Sequence, residues 1–277
     1  MKKNVIFLLL ICCNVFIYAQ KSEIGAFGGV SFYLGDLNPT TLFANVKPAG
    51  GLVYRYNFDA RWALKANVIF ANVEASDQKN NKNYERNLSF KSPITEISAQ
   101  VEVNFFNLYN VASFNRFSPY VFAGIAFFSF NPQAELDGKT YFLQHLGTEG
   151  QGLPGQKKYY SLTNFAIPFG IGLKATIGRF IAVGVEWGLR YTFTDYLDDV
   201  GNVYYDNDAL RTVRGNIVAD LADRSEFQHS HGRERGNITT KDLYSFCGVI
   251  FTVKLGNEDA NCDLRKNVRK RGGKFRY

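Results

Sequence analysis

The sequence predicts an all-β chain: an eight-stranded antiparallel transmembrane β-barrel of the outer-membrane type, with long external loops and short periplasmic turns. Three observations predict it. Aromatic residues make up 16% of the 277 residues, with 25 Phe and 16 Tyr against two Trp and one Met. A soluble interior of this size cannot bury so many, whereas a barrel in lipid displays them outward and in interfacial girdles. The mean hydropathy of -0.17 excludes a helical membrane bundle, which needs several long apolar runs. The third observation is period-2 alternation, with apolar residues on one face and small or charged residues on the other.

The elements follow in order. Lys2 and Lys3 form a positive start, and the apolar run Val5 to Ile17 is too short to span a bilayer. Ile17-Tyr18-Ala19 offers a cleavage site, so residues 1–19 are expected to be a signal peptide with Gln20 as the new N-terminus. Ile11 precedes Cys12 where a lipoprotein would need a small residue, so cleavage without lipidation is expected. Residues 20–255 are expected to form the barrel. Eight alternating segments can be placed: Glu23 to Tyr33, Ala49 to Phe58, Trp62 to Asn72, Ile94 to Phe105, Tyr120 to Phe130, Phe165 to Ile177, Phe180 to Thr194 and Lys241 to Leu255. The seventh is the clearest, with Ile181, Val183, Val185, Trp187, Leu189, Tyr191 and Phe193 opposite Ala182, Gly184, Glu186, Gly188, Arg190, Thr192 and Thr194. The first and fifth alternate poorly, because Gly28, Gly29, Phe127 and Phe128 blur their faces. About 11 residues at ~3.3 Å rise and ~40° tilt reach roughly 28 Å, enough for an outer membrane's apolar band.

Connections alternate in length. Asp59 to Arg61 and Gly178-Arg179 are tight and Phe106 to Pro119 is moderate, whereas Leu34 to Pro48, Val73 to Pro93, Asn131 to Asn164 and Asp195 to Thr240 are long. Short turns are periplasmic in such barrels, which places both termini in the periplasm. No helical pattern competes with the strands.

Inward charges of both signs, Arg55, Lys65, Lys174 and Arg190 with Glu96, Glu102 and Glu186, are expected to pair and plug the lumen. Residues 256–277 form a basic tail expected in the periplasm, and the chain's formal net charge of +7 is matched by the seven cations at its end. Leu264 to Tyr277 carries Arg265, Lys266, Arg269, Lys270, Arg271, Lys274 and Arg276 and no acid. Such a cluster can bind anionic lipid or an acidic protein face, and it suits a solvated end equally well; nucleic acid is excluded by the compartment.

Candidate chemistry is sparse. His145, His229 and His231 all fall in external loops, and His229-Ser230-His231 would place a base beside a nucleophile, but no acid is identifiable to orient it. The acidic run Asp195, Asp198, Asp199, Asp206 and Asp208 carries oxygen ligands for Ca²⁺ without the regular Gly-bearing pattern, and equally suits turn caps and salt bridges. Gly147, Gly150, Gly152 and Gly155 read as turn formers, since no helix follows to make a phosphate cradle. Cys247 and Cys262 lie too far apart along the chain for a disulfide unless the tail folds back, and no Cys/His spacing suits a metal. No enzyme, cofactor or metal is expected. The rival readings are a lipid-modifying hydrolase centred on His229 and Ser230, a small surface or adhesion barrel, and a small channel.

Four stretches together carry a family likeness. Tyr33-Leu-Gly-Asp-Leu-Asn-Pro39, Arg86-Asn-Leu-Ser-Phe90 with Pro93-Ile-Thr-Glu96, Leu146-Gly-Thr-Glu-Gly-Gln-Gly152 and Thr194-Asp-Tyr-Leu-Asp-Asp-Val200 stand in this order. In this combination the chain resembles the PorG-like outer-membrane barrels of the Bacteroidota type IX secretion and gliding machinery, over about Glu23 to Leu255. The resemblance implies a non-enzymatic component that anchors a periplasmic ring, made of a lipoprotein and its partner, to the outer membrane. It does not say which residues touch the ring. Topology narrows them to the periplasmic turns and the tail, where Arg265, Lys266, Arg269, Lys270 and Arg271 are the expected contacts.

Overall fold

A computed structural model of the chain describes residues 22–79, 83–106, 117–177, 180–237 and 239–255. The expected signal peptide, the turn Gly178-Arg179, residues 107–116 of the turn after the fourth strand, and the basic tail lie outside the described residues.

Ten strands appear in order: β1 Ser22–Leu34, β2 Lys47–Asn57, β3 Trp62–Ser76, β4 Ser89–Asn104, β5 Phe117–Phe130, β6 Gln133–Leu136, β7 Lys139–Phe142, β8 Thr163–Ile177, β9 Ile181–Thr192 and β10 Leu243–Lys254. Eight of them close into a barrel. β1 pairs with β2 and with β10, the ring continues through β9, β8, β5 and β4, and β3–β4 pairing completes it, every pair antiparallel. Closure leaves no strand edge unpaired, which a β-structure in lipid requires. β6 and β7 form a small hairpin beyond the loop end of the ring, attached to β4 through Lys91 and Gln133.

The alternation has a direct physical counterpart. Along β9 every second residue is buried (Ala182, Gly184, Glu186, Gly188, Arg190 and Thr192) while Val185 and Tyr191 are exposed. Ile97, Val101, Ile125, Ile171, Leu173, Val185 and Val249 form an outward apolar band, with Ile125 as much as 71% exposed. Phe58, Trp62, Phe105, Phe117 and Phe180 ring it at the turn end, and Phe70, Phe127, Phe165 and Phe193 toward the loop end. The blur expected in β5 resolves simply: Phe127 is exposed and Phe128 is fully buried, so that strand is aromatic on both faces.

β3 and β4 run past their expected ends, paired as far as Ser76 and Ser89. Val73 and Ala75 continue the buried face, while outward Glu74 meets Lys47 at 2.8 Å and Lys79 at 3.3 Å. The long last connection also departs from expectation. It contains two helices, α2 Asn207–Arg214 and α3 Asn216–Ala222, and a single-turn helix, α1 Leu143–Leu146, follows β7. Leu210, Val218, Ala219 and Ala222 bury an apolar seam between α2 and α3, with Leu146, Leu153 and Tyr205 packed against it. That burial stabilises helices too short to persist alone.

Candidate functional site

Two buried polar layers, separated by aromatic rings, fill the barrel and its mouth. The first lies in the lumen. Glu102 of β4 is fully buried and receives three cations: Arg55 at 2.9 Å, Lys174 at 3.1 Å and Lys65 at 3.3 Å. Arg55 also pairs with Glu23 at 2.8 Å, and Lys65 with Glu186. Glu23 further accepts from Asn57 at 3.0 Å and Thr252 at 2.8 Å, and Tyr120 donates to Glu186 at 2.8 Å. Lys65 lies 4.3 Å from the Phe122 ring centroid, a cation–π contact. A second group stands nearer the loop end. Glu96 accepts from Arg190 at 3.1 Å and Tyr244 at 2.9 Å, and the Arg190 guanidinium lies 4.2 Å from the Phe246 ring.

Inward glycines make room for these rings. A Cβ on Gly172 would stand 2.2 Å from Tyr120 Cζ, and one on Gly188 would stand 2.5 Å from Phe122 Cζ. The side chains therefore occupy the axis of the barrel, as an eight-stranded ring permits. Such charges stay buried only because each has a partner.

Above Tyr33, Phe90, Phe128, Tyr244 and Phe246 lies the second layer, a cap built by the loops. The Tyr33 hydroxyl stands 2.6 Å from both Asp198 and Asp242. A phenol has one proton to donate, so one of these two carboxyls must itself carry a proton and donate back. Consistently, burial and the Asp198–Asp242 repulsion push Asp198 well above the usual carboxylate range, and burial does the same to Asp242. Asp242 also accepts from the Leu197 N–H at 2.9 Å, and Asp198 from Val200 at 2.9 Å.

Two arginines lock the loops together. Arg86 grips Asp77 through two N–H groups at 2.7 and 2.8 Å and donates to the carbonyls of Arg235 and Asp36 at 2.7 and 2.9 Å. Arg235 donates to Glu149 at 3.1 Å and to the Asp199 carbonyl at 2.5 Å. Burial opposes the Arg235 charge, but the Glu149 and Asp199 carboxylates outweigh it and raise its pKa. Burial raises Asp199 and Glu149 as well, although Arg235 pulls both down. Thr148 and Tyr160 donate to Asp199 at 2.5 and 2.6 Å, and Glu149 accepts from the Gly201 and Asn202 N–H groups at 3.1 and 3.2 Å.

The acidic run does not assemble as one site. Asp195 faces Lys241 at 3.6 Å, Asp198 meets Tyr33, Asp199 holds Thr148 and Tyr160, Asp206 caps α2 by accepting from Ala209 at 3.1 Å, and Asp208 falls in the first turn of that helix. Among the described residues no group of three or more His, Cys, Asp or Glu could hold a metal ion. Gly147, Gly150, Gly152 and Gly155 all adopt positive φ, between 62° and 81°, in the loop that presents Thr148 and Glu149. Cys247 is a free, half-buried thiol, and Cys262 lies outside the described residues.

The histidine segment is more ordered than its sequence suggests. Asp223 is the acid that sequence inspection missed: it lies 3.1 Å from His229 Nδ1 and accepts from the His229 N–H at 2.6 Å. The ring stacks on Tyr204 at 4.4 Å. Ser225 Oγ donates to Asp223 at 2.5 Å and stands 3.1 Å from the same Nδ1, so the hydroxyl is on the wrong nitrogen for a nucleophile–base–acid relay. Ser230 is exposed, and His145 sits exposed in α1. The five tail cations expected to contact a partner lie outside the described residues.

The fold and its filling define a closed eight-stranded antiparallel barrel of the outer-membrane type. The chain belongs to the family described as a domain of unknown function, DUF6089, whose profile matches residues 2–222. No curated protein matches it. Among solved structures it is similar to Neisserial surface protein A, at 10% identity over 84% of this chain and 97% of that one, with a TM-score of 0.43. It is also similar to the attachment invasion locus protein Ail of Yersinia pestis (8%, 84% and 96%, TM-score 0.39) and to OprG of Pseudomonas aeruginosa (7%, 84% and 94%, TM-score 0.38).

Proposed function

We propose that this chain is a non-enzymatic, non-conducting outer-membrane barrel that anchors or assembles a periplasmic ring of the type IX protein secretion system. Its loops would face outward and its termini the periplasm, after removal of residues 1–19. The observation that carries the structural role is Glu102 and its three cations lying across the lumen. A barrel with an occupied axis does not serve as a pore, so its working surfaces are its two ends and its outer wall. The choice of secretion system rests on the resemblance of the four sequence stretches to PorG-like barrels. The partners are then the ring lipoprotein and its companion, with Arg265, Lys266, Arg269, Lys270 and Arg271 against an acidic face.

Pull-down of the tagged protein from mild detergent, with and without Leu264 to Tyr277, tests this reading. Ring proteins should co-purify with the full chain and be lost on truncation or on replacement of the five cations by Gln. Recovery of ring proteins from the truncated chain moves the contact to the turns. Their absence from the full-length pull-down, together with intact secretion in a deletion strain, refutes the function.

A further inference from the structure

One residue of the outer wall is sealed. On β1 the buried Tyr33 points inward, so Phe32 belongs to the outer face, in register with Ser245 of β10 and, one strand further, Leu189 of β9. Phe32 is nevertheless fully buried, whereas Ile97, Ile125 and Val185 of the same wall are more than half exposed. The loop after β1 covers it. The chain reverses between Gly35 and Asn38, whose backbones exchange hydrogen bonds of 3.1 and 3.0 Å. Phe43 then lies back on the wall, its ring centroid 4.7 Å from that of Phe32 and 6.1 Å from that of Trp187.

Trp187 fixes the depth. It stands about midway along β9 between the exposed Phe180 and Phe193, which mark the two edges of the apolar band, and its Nε1–H donates to Ser245 at 3.0 Å. Phe43 therefore rests within the band, on the membrane side of Phe193. The residues around it suit that place. From Leu37 to Val46 the loop carries no charge, and Leu42, Phe43 and Val46 are exposed. The loop after β3, by contrast, holds Asp77, Lys79, Glu85 and Arg86. Backbone polar groups that approach hydrocarbon must be satisfied within the protein. Thr41, beside the apolar pair, has both of its own bonded to the Asn38 side chain, which accepts from the Thr41 N–H at 3.2 Å and donates to its carbonyl at 2.8 Å. Phe43 adopts φ of 58°, a conformation that costs a bulky residue energy and is kept where it serves a purpose.

We propose that the loop after β1 is a membrane anchor, with Leu42 and Phe43 inserted among the acyl chains of the leaflet at the loop end. Lipid is the occupant because the apolar surface of the loop runs directly into the lipid-facing wall at Trp187. The same loop carries Leu37 into the cap core and gives the Asp36 carbonyl to Arg86 at 2.9 Å, so the anchor ties the cap to the bilayer. The inference rests on the barrel crossing a membrane and not on the secretion role. Photo-crosslinking tests it, with p-benzoylphenylalanine in place of Leu42 in the full chain, reconstituted in phosphatidylcholine vesicles and analysed by mass spectrometry of the loop peptide. The same probe at Ile125 reports the lipid-facing wall, and at Tyr84 the exposed loop after β3. Heat-modifiable gel mobility checks folding, and a probe at Val46 repeats the measurement at a second position. Lipid adducts at Leu42 in a yield like that at Ile125, and none at Tyr84, are expected. A yield at Leu42 and Val46 no greater than at Tyr84 overturns the anchor. Crosslinking of Leu42 to a second copy of the chain in place of lipid also overturns it, and assigns the loop to a contact between barrels. Neither result bears on the tail pull-down.

Discussion

Replacing Glu102 by Gln should be among the most damaging single changes in the barrel wall. The carboxylate is fully buried and touches Arg55, Lys65 and Lys174. Arg55 retains Glu23 and Lys65 retains Glu186, but Lys174 has no other carboxylate within ion-pair distance among the described residues. The variant therefore strands one ammonium, buried to 2% exposure, and weakens the hold on two more cations. Breaking a buried pair from one side costs about 3–5 kcal/mol, and that is the expected loss. Lys174→Met is the control. Glu102 would still have Arg55 and Lys65, and Met fills a similar volume, so the cost should stay below about 1 kcal/mol. Urea titration in lipid vesicles, followed by fluorescence of Trp62 and Trp187 and by gel mobility, measures both. Glu102→Gln within 1 kcal/mol of the parent, or Lys174→Met as damaging as Glu102→Gln, would refute the assignment of Glu102 as the hub.

The cap should loosen as pH rises. Asp198 and Asp242 have folded pKa values above the unfolded one, so their contribution is fully present below the ordinary carboxylate value and is lost as pH climbs through the folded values. Amide exchange at Leu197 and Val200 should therefore accelerate on alkalinisation, and Asp242→Asn, which mimics the protonated partner of Tyr33, should flatten that dependence; an unchanged slope counts against the shared proton. Gly172→Val should expel the Tyr120 ring, which lies 2.2 Å from the added Cβ, and cost about 1–3 kcal/mol in the same urea assay. Planar-bilayer recordings should show no stepwise conductance; steady unitary currents would mean that the lumen side chains leave the axis.

What the sequence disclosed was what repeats locally. β4, β8 and β9 declare their lipid and lumen faces at every second residue, and strand lengths follow from the thickness to be crossed. Glu23, the second partner of Arg55, was hidden because Gly28 and Gly29 blur the alternation of β1. α2 and α3 were hidden because eight- and seven-residue helices give too few turns for a helical period, and Asp206, the cap of α2, stands in a run that reads equally as cation ligands. The Asp223 that orients His229 lies only six residues away, yet the two meet only because α3 ends at Ala222 and the chain turns back. Tyr33, Asp198 and Asp242 were beyond reach altogether, their bonds joining residues 165 and 209 positions apart.

The four stretches singled out in the sequence share a place rather than a chemistry. Tyr33 meets Asp198, Arg86 donates to the Asp36 carbonyl, Thr148 meets Asp199, and Glu149 receives the N–H groups of Gly201 and Asn202. They meet in the cap. A barrel wall asks little of its sequence, since many apolar residues serve outward and many small or paired ones inward. The cap asks for particular partners at particular loop positions. The ion pairs around Glu102 already fill the lumen, so a second polar layer is not needed to close it. Its mechanical effect is to fix the loops after β1, β3, β7 and β9 relative to one another. A rigid surface at the loop end, rather than a sealed pore, is therefore the property that the cap residues supply.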